Sequence, residues 1–517
     1  MTTTTALAHT TADSLRLRET ATQALRDHLL PAIRTHLPEI ENRISVNITS
    51  SVAYGAADEH SDLDVFVMFE RERDYAQHAS GLQKLIDNLH LDALYGAVCD
   101  KGMRFEIESL ARADLSAIYH HSERPEHWHR QSEWLLSWFL DSHPIHDPSG
   151  IHARLQQRAG RWPDGILLAR QDDALTRISA WTGTARRFLV DQGPSFVAVR
   201  SAYRAATASL ELAYLQAGLY APHPKWRSAY AAAMLRNHHE AQRRLEVHQR
   251  LAQGLASPSW TTCGMDDLLL GHLDANDLSN PPSPADGWLP VLRDHAELFV
   301  DEYGSIWAAR DRAPGRAFHV AARAAAAMGE TVYLGSELGC DRIGSRTYDG
   351  SMRVAEPLRW LIERQVELSG RPAVDSNSSA RHRRWRFLNF IIWRKLRVVN
   401  KASQRGHSFT CRWYQLQVVD HLMEAQALLA GTHLPPLHRY ESSTLGFLTV
   451  PMVRALTEQP AEVLIGDVQG FLRWGWREFA DLQLAMTKRG LLSDQAARDP
   501  LATQWEIQYW KYENLFN

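Results

Sequence analysis

The sequence predicts an α+β chain: a small mixed β-sheet near the N-terminus, then largely α-helical domains with an internal duplication of the helical part. Three observations carry this. Two short apolar runs that alternate with polar residues, one after Ser61 and one at Met103–Glu108, read as strands, and residues 74–94 between them read as a helix and a turn. Beyond these strands the apolar spacing becomes helical. Within that helical part the chain repeats a capped-helix pattern at a constant offset.

Taken in order, residues 12–37 form an amphipathic helix, broken by Pro31 and closed by Pro38, that packs beside the sheet. A small-residue turn follows, Ser50-Ser51-Val52-Ala53-Tyr54-Gly55, and then Ser61-Asp62-Leu63-Asp64-Val65-Phe66-Val67. Side chains at i and i+2 of a strand share a face, so Asp62 and Asp64 project together while Leu63 and Val65 turn into the core. Two carboxylates held that close repel unless a cation sits between them, and a hard divalent metal suits their oxygens. In Met103-Arg104-Phe105-Glu106-Ile107-Glu108 the apolar residues take one face, and Arg104, Glu106 and Glu108 take the other.

The helical part opens with Gly193-Pro194-Ser195-Phe196 and ends its first helix at Gly218, with Pro222 beyond; Gly406-His407-Ser408-Phe409, Gly431 and Pro435 match at an offset of 213 residues. Ser195 and Ser408 are expected as N-caps, and Gly218 and Gly431 as left-handed C′ residues. Phe196, Val199, Tyr203, Ala206, Leu210 and Ala213 form one apolar stripe, matched by Phe409, Leu416, Val419 and Met423. Upstream, the turns Asp147–Gly150 and Asp301–Gly304, each followed by Arg-Ala (Arg158-Ala159 and Arg312-Ala313), are a second pair of landmarks. The second half has Gly335-Ser336, Asp341 and Asp349 without an alternating strand, so it is read as a degenerate copy or as a helical module that shapes the substrate cleft. The resulting organisation is a catalytic domain at 12–165, a helical substrate-side domain at 166–256, a linker at 257–284 around Pro281–Pro284, and a second, mainly helical domain at 285–517.

With 57 Lys+Arg against 60 Asp+Glu in 517 residues, the formal net charge is −3, which lacks the basic field of a general nucleic-acid binder. Cys99, Cys263, Cys340 and Cys411 lie far apart, with neither metal spacing nor a disulfide framework. No signal peptide and no apolar run of membrane-crossing length is apparent, so a cytoplasmic protein is expected. His120-His121, and His127 with His129, lack the i, i+4 spacing of a zinc helix. The basic, aromatic run Arg381–Arg397 is read as a buried helix with a charged outer face.

The turn and acidic strand resemble the DNA polymerase β-like nucleotidyltransferase superfamily, nearest its minimal and antibiotic-modifying members, whose pattern is Gly-Ser, a short Gly-containing loop, then Ser-Asp-x-Asp opening a strand. Ser51, Gly55, Ser61, Asp62 and Asp64 fall on the pattern; Ser50 stands where the family has Gly. The likeness covers about 200 residues, from the first helix to Trp226. It implies transfer of a nucleoside monophosphate from an NTP to a hydroxyl of a small molecule or protein, with release of pyrophosphate. Two Mg²⁺ ions would be held by Asp62, Asp64 and a third carboxylate on the neighbouring strand, Glu106 ahead of Glu108, one of these acids alternatively serving as base. Ser50, Ser51, Gly55 and Ser61 would line the triphosphate loop, and Arg200, Arg204 and Lys225 would contact phosphate or acceptor. Nucleic acid is disfavoured as partner and a homodimer stays open. The alternative is a catalytically silent nucleotide-binding or interaction protein with the same fold.

Overall fold

The computed structural model describes residues 12–55, 57–58, 61–91, 103–110, 130–160, 162, 165–256, 262–279, 287–300, 306–309, 316–327, 332–334, 364, 378–430 and 467–500. The protein is mixed α+β, with a four-stranded and a three-stranded sheet among many helices. It divides into two compact units: residues 1–168 with 214–239, and residues 169–213 with 240–517.

The first unit opens with α1 (Ala12–Ala24), a π-helical turn (Leu25–Leu29) and α2 (Leu30–His36). The expected break at Pro31 does not occur. Pro31 lies in the first turn of α2, directly after the π turn. A proline ring collides with the carbonyl four residues back in a regular helix, and the wider π turn moves that carbonyl away. Next come β1 (Ile44–Thr49), the single turn α3 (Ser50–Ala53), β2 (Leu63–Phe69), α4 (Glu72–Leu89) and β3 (Met103–Ser109). After α5 (Arg130–Leu140) the edge strand β4 (His143–His146) leads to α6 (Ile151–Ala159). The sheet order is β3-β2-β1-β4; β1 runs antiparallel to β2 and β4, and β3 runs parallel to β2. The parallel pair needs a crossover, which α4 supplies.

Register decides the two faces. Val46, Ile48, Val65, Val67 and Met103 pack on one face under Leu17, Leu25, Leu29 and Ile33 of the N-terminal helices and Leu82 and Ile86 of α4. The opposite face carries Asn47, Thr49, Asp64, Phe66, Arg104, Glu106 and Glu108. The long helices α7 (Ile166–Gln192) and α8 (Phe196–Gln216) then lead to α9 (Pro224–Met234). Trp162 ties the returning segment to the first unit, stacking on Tyr220 at 4.2 Å and donating to the Gly218 carbonyl at 3.0 Å.

The second unit continues with α10 (His239–Ala256) and α11 (Thr262–Ala275). A helix therefore occupies the middle of the expected linker at 257–284. Met265, Leu269 and His272 recur at helical spacing, and their burial supplies its stability. After α12 (Trp288–His295) a small sheet forms from β5 (Glu297–Val300), β6 (Ile306–Ala309) and β7 (Val332–Leu334), with α13 (Arg316–Ala327) between the last two. It has its own core of Leu292, Ile306, Phe318, Ala321 and Val332. The chain closes with α14 (Ser378–Gln404), α15 (Ser408–Leu429), α16 (Val468–Lys488) and α17 (Asp494–Arg498). The basic run at Arg381–Arg397 belongs to α14, whose Trp385, Phe387, Leu388, Ile391 and Leu396 are core.

Helices α8 and α15 are buried around most of their circumference, not along a single stripe. Ser195 accepts from Ala198 N at 3.3 Å, as an N-cap does. Ser408 is instead the first helical residue, and the cap position falls to His407, whose side chain makes no capping bond. Gly218 has φ +70°, and Leu219 N donates back to the Tyr214 carbonyl at 2.9 Å. Of the upstream landmarks, only the first pair, Asp147–Gly150 and Arg158-Ala159, lies among the described residues. Asp147 caps a helix, accepting from His152 N at 3.2 Å and Ala153 N at 3.1 Å, whereas the segment after Gly304 is the strand β6. Asp301–Gly304, Arg312, Ala313, Gly335, Ser336, Asp341, Asp349, Gly431 and Pro435 lie outside the described residues, as do His120, His121, His127 and His129.

Burial pushes His248 of α10 down to about 4 and His272 of α11 down to about 3. An unfolded histidine binds its proton near pH 6.5, so these two favour folding above that value, and their contribution is lost as the pH falls from 6.5 towards 4. Each steepens the acid loss by about 1.4 kcal/mol per pH unit. Urea melts between pH 7 and 4.5 are expected to show that slope relaxing by this amount in His272→Gln.

Candidate active site

The site is built where β1 ends and β2 begins. Thr49 pairs with Asp64 across the hairpin and Asp64 pairs with Arg104 across the parallel strands, so all three stand on the polar face. The chain turns out of β1 at Ser50, whose φ is +61°. Left-handed backbone costs an L-residue about 1–2 kcal/mol, while glycine adopts it readily. Ser50 thus occupies a conformation suited to glycine, the residue that the resemblance expects there. Its hydroxyl acts on Asp64, favouring the ionised carboxylate. Gly55 ends the turn with φ +75°. Ser51 and Ser61 are buried. The Ser61 hydroxyl accepts from Asp58 N at 3.0 Å and donates to the Asp58 carboxylate at 2.9 Å, which shapes the approach to Asp62. Ser14 of α1 holds the same loop through Ala57 N at 2.6 Å.

Electrostatics concentrate on Asp64. Burial, then the neighbouring Asp62 carboxylate, push its pKa up; Lys225, the Ser50 hydroxyl and Arg104 act against that rise. Arg104 also pairs with Asp62 at 3.3 Å. Lys225 lies in the first turn of α9, where its backbone N–H donates to His223 Nδ1 at 3.2 Å and its ammonium lies 5.2 Å from the centre of the Trp226 ring. The fold therefore gathers Ser50, Asp62, Asp64, Arg104 and Lys225, although Lys225 is distant in sequence.

Glu106 pairs with Phe66 and Glu108 with Met68, on the same face as Asp64. Each step of two residues moves about 6.6 Å along a strand. Glu106 is one step from the Asp64–Arg104 level and Glu108, a buried residue, is two. Among the described residues, no group of three or more His, Cys, Asp or Glu side chains is placed to hold a metal ion. The donor set at Asp62, Asp64 and Ser50 is nevertheless all oxygen, with two carboxylates side by side. That fits Mg²⁺, which binds through one or two carboxylates and fills its sphere with water and substrate phosphate.

Arg200 and Arg204 belong to the second unit. Arg200 is 1 % exposed, donates through Nε to Asp420 at 2.6 Å and lies over Trp413 at 4.2 Å. Arg204 lies over Trp181 at 4.4 Å. Arg200 is in a structural ion pair, and the aromatic partners of both arginines show them packed into that unit's helices. Sequence reasoning missed Arg104 as a partner of the acid pair, although the alternation of β3 put it on the right face. It also missed Asp141, just after α5, a carboxyl that burial pushes up to about 7.

Two outcomes are expected here. Ser50→Ala and Ser50→Gly both lose the hydroxyl that acts on Asp64, but only glycine relieves the backbone. The glycine variant should be more stable than the alanine variant by about 1 kcal/mol in denaturant melts, the reverse of the order at an ordinary position. In carboxyl-selective ¹³C NMR titrations, Asp62→Asn should lower the Asp64 pKa and Lys225→Gln should raise it.

Among the described residues no helix is long and apolar enough to cross a membrane. No family model, no curated protein and no solved structure matches the chain.

Proposed function

We propose that the protein is a metal-dependent nucleotidyltransferase that moves a nucleoside monophosphate from an NTP to a hydroxyl of a small molecule or protein. The observation that carries this reading is the convergence on Asp64. A carboxylate paired with Asp62 at the head of a strand, a left-handed Ser50 turn beside it and a lysine brought in from α9 are the parts that phosphoryl transfer needs. Asp62 and Asp64 would hold Mg²⁺, which neutralises phosphate charge and orients the reacting oxygens. Ser50, Ser51, Gly55 and Ser61 would line the triphosphate, and Lys225 would face its anionic oxygens. Glu106, nearer the acid pair than Glu108, would accept the proton of the acceptor hydroxyl as that oxygen bonds to the α-phosphorus and the bond to pyrophosphate breaks. Arg200 and Arg204 are left out of the site by their own partners.

A second reading rests on Arg104. Its ion pair with Asp62 already neutralises part of the acid pair. In that case the protein binds nucleotide without turning it over.

The chain also reads as a duplication. In both halves an antiparallel hairpin leads through a helix to a strand parallel to the second: β1, β2, α4, β3 and then β5, β6, α13, β7. A 27-residue helix and a 21- or 22-residue helix follow in each, with a left-handed glycine between them, Gly193 at φ +71° and Gly406 at φ +68°. The strand β6, Ile306-Trp307-Ala308-Ala309, carries no acid, which makes the second copy a scaffold without a site of this type.

Pyrophosphate release from each of the four NTPs, with Mg²⁺ and a pool of hydroxyl acceptors including the protein itself, tests the assignment. Metal-dependent release that falls at least about 10²-fold in Asp64→Ala is expected. Release that is unchanged in that variant would sink the catalytic reading. Binding without release in the wild type, with release appearing in Arg104→Gln, would favour the silent form.

A further inference from the structure

The turn that carries Ser50 also holds Tyr54, just after α3, whose ring the proposed chemistry does not use. Its ring centre lies 5.7 Å from that of Tyr230 on α9, tilted by 46°. Tyr230 in turn stacks on Trp226 at 5.1 Å and 14°. The Lys225 ammonium rests 5.2 Å from the centre of the Trp226 ring, and its charge reaches Asp64. Asp64 also feels the hydroxyl of Ser50, which shares the single turn α3 and its continuation with Tyr54. Tyr230 and Trp226 are both buried, so this is a packed strut and not a surface platform. The start of α9 is pinned from other directions as well. Tyr214 donates to the Arg227 carbonyl at 2.7 Å, and Arg227 Nε donates to the Pro222 carbonyl at 3.2 Å.

We infer that Tyr54 is a positioning residue: through Tyr230 and Trp226 its ring holds the Lys225 ammonium in place beside the Ser50–Asp64 turn, so that the loop and the phosphate-facing cation move as one body. The physical reason is stiffness. A lysine on four methylenes is mobile, and a cation–π contact to a ring that is itself stacked removes much of that freedom. Aromatic rings add contact area with few rotors, so the strut costs little conformational entropy. The inference rests on the nucleotidyltransferase reading for the identity of the ligand, a nucleoside triphosphate, but not for the coupling itself.

The test uses the full-length protein and two readouts. The first needs no nucleotide: the rate of reductive methylation at Lys225, followed by peptide mass spectrometry. The second is the dissociation constant for a non-hydrolysable NTP analogue. Tyr54→Phe keeps the ring and should match the wild type in both. Tyr54→Leu removes the ring and should change the Lys225 labelling rate at least threefold and weaken analogue binding about tenfold, without further loss when combined with Lys225→Gln. Should Tyr54→Leu not fold, Trp226→Phe shortens the strut without emptying it and should shift the same labelling rate. An unchanged Lys225 rate in whichever variant folds, or losses that add fully in the double variant, would overturn the inference. If the wild type binds no analogue, the nucleotidyltransferase reading fails, and the labelling rate alone still decides whether the strut exists.

Discussion

The first unit is organised around one electrostatic problem, a carboxylate at Asp64 that is drawn out of water beside a second carboxylate. Burial and the Asp62 charge both act against its ionised form. The protein answers from three directions: a hydroxyl from the preceding turn, a guanidinium from the next strand and an ammonium from a helix far along the chain.

That arrangement also separates the two kinds of arginine in the molecule. Arg104 is itself exposed and meets the acid pair at ordinary ion-pair distance. Arg200 is buried and committed to Asp420, while Arg170 and Arg177 share Asp173 and Glu211 in a cluster of two cations and two anions. Breaking one member of such a buried set strands its partner without water, which is why these residues specify helix packing and are poor candidates for chemistry.

Much of the site was legible because strands keep a period of two. Alternation alone placed Leu63, Val65, Phe105 and Ile107 on one side and Asp64, Glu106 and Glu108 on the other, as the register shows. What could not be read were partners set by distance in space. The carboxylate that claims Arg200 lies 220 residues on, and the stacked rings Trp226 and Tyr230 of α9 meet one from the N-terminal turn, Tyr54. The helix Thr262–Ala275 was hidden because proline and serine around it dominate a composition-based reading, whereas its own apolar residues recur every three or four positions. The run of Pro31 through an unbroken helix was hidden for a different reason: no propensity scale records a π turn.

That π turn has a meaning beyond accommodating a proline. A π turn is what a single inserted residue looks like once a helix has absorbed it. On either side of Leu25–Leu29 the buried positions Leu17, Ala21, Leu25, Leu29 and Ile33 keep one line against the sheet. Deleting one residue there would restore a regular helix and keep Ile33 towards the core, yet would set Pro31 against the carbonyl four residues back. The segment is therefore locked in length: its extra residue, once gained, can no longer be given back.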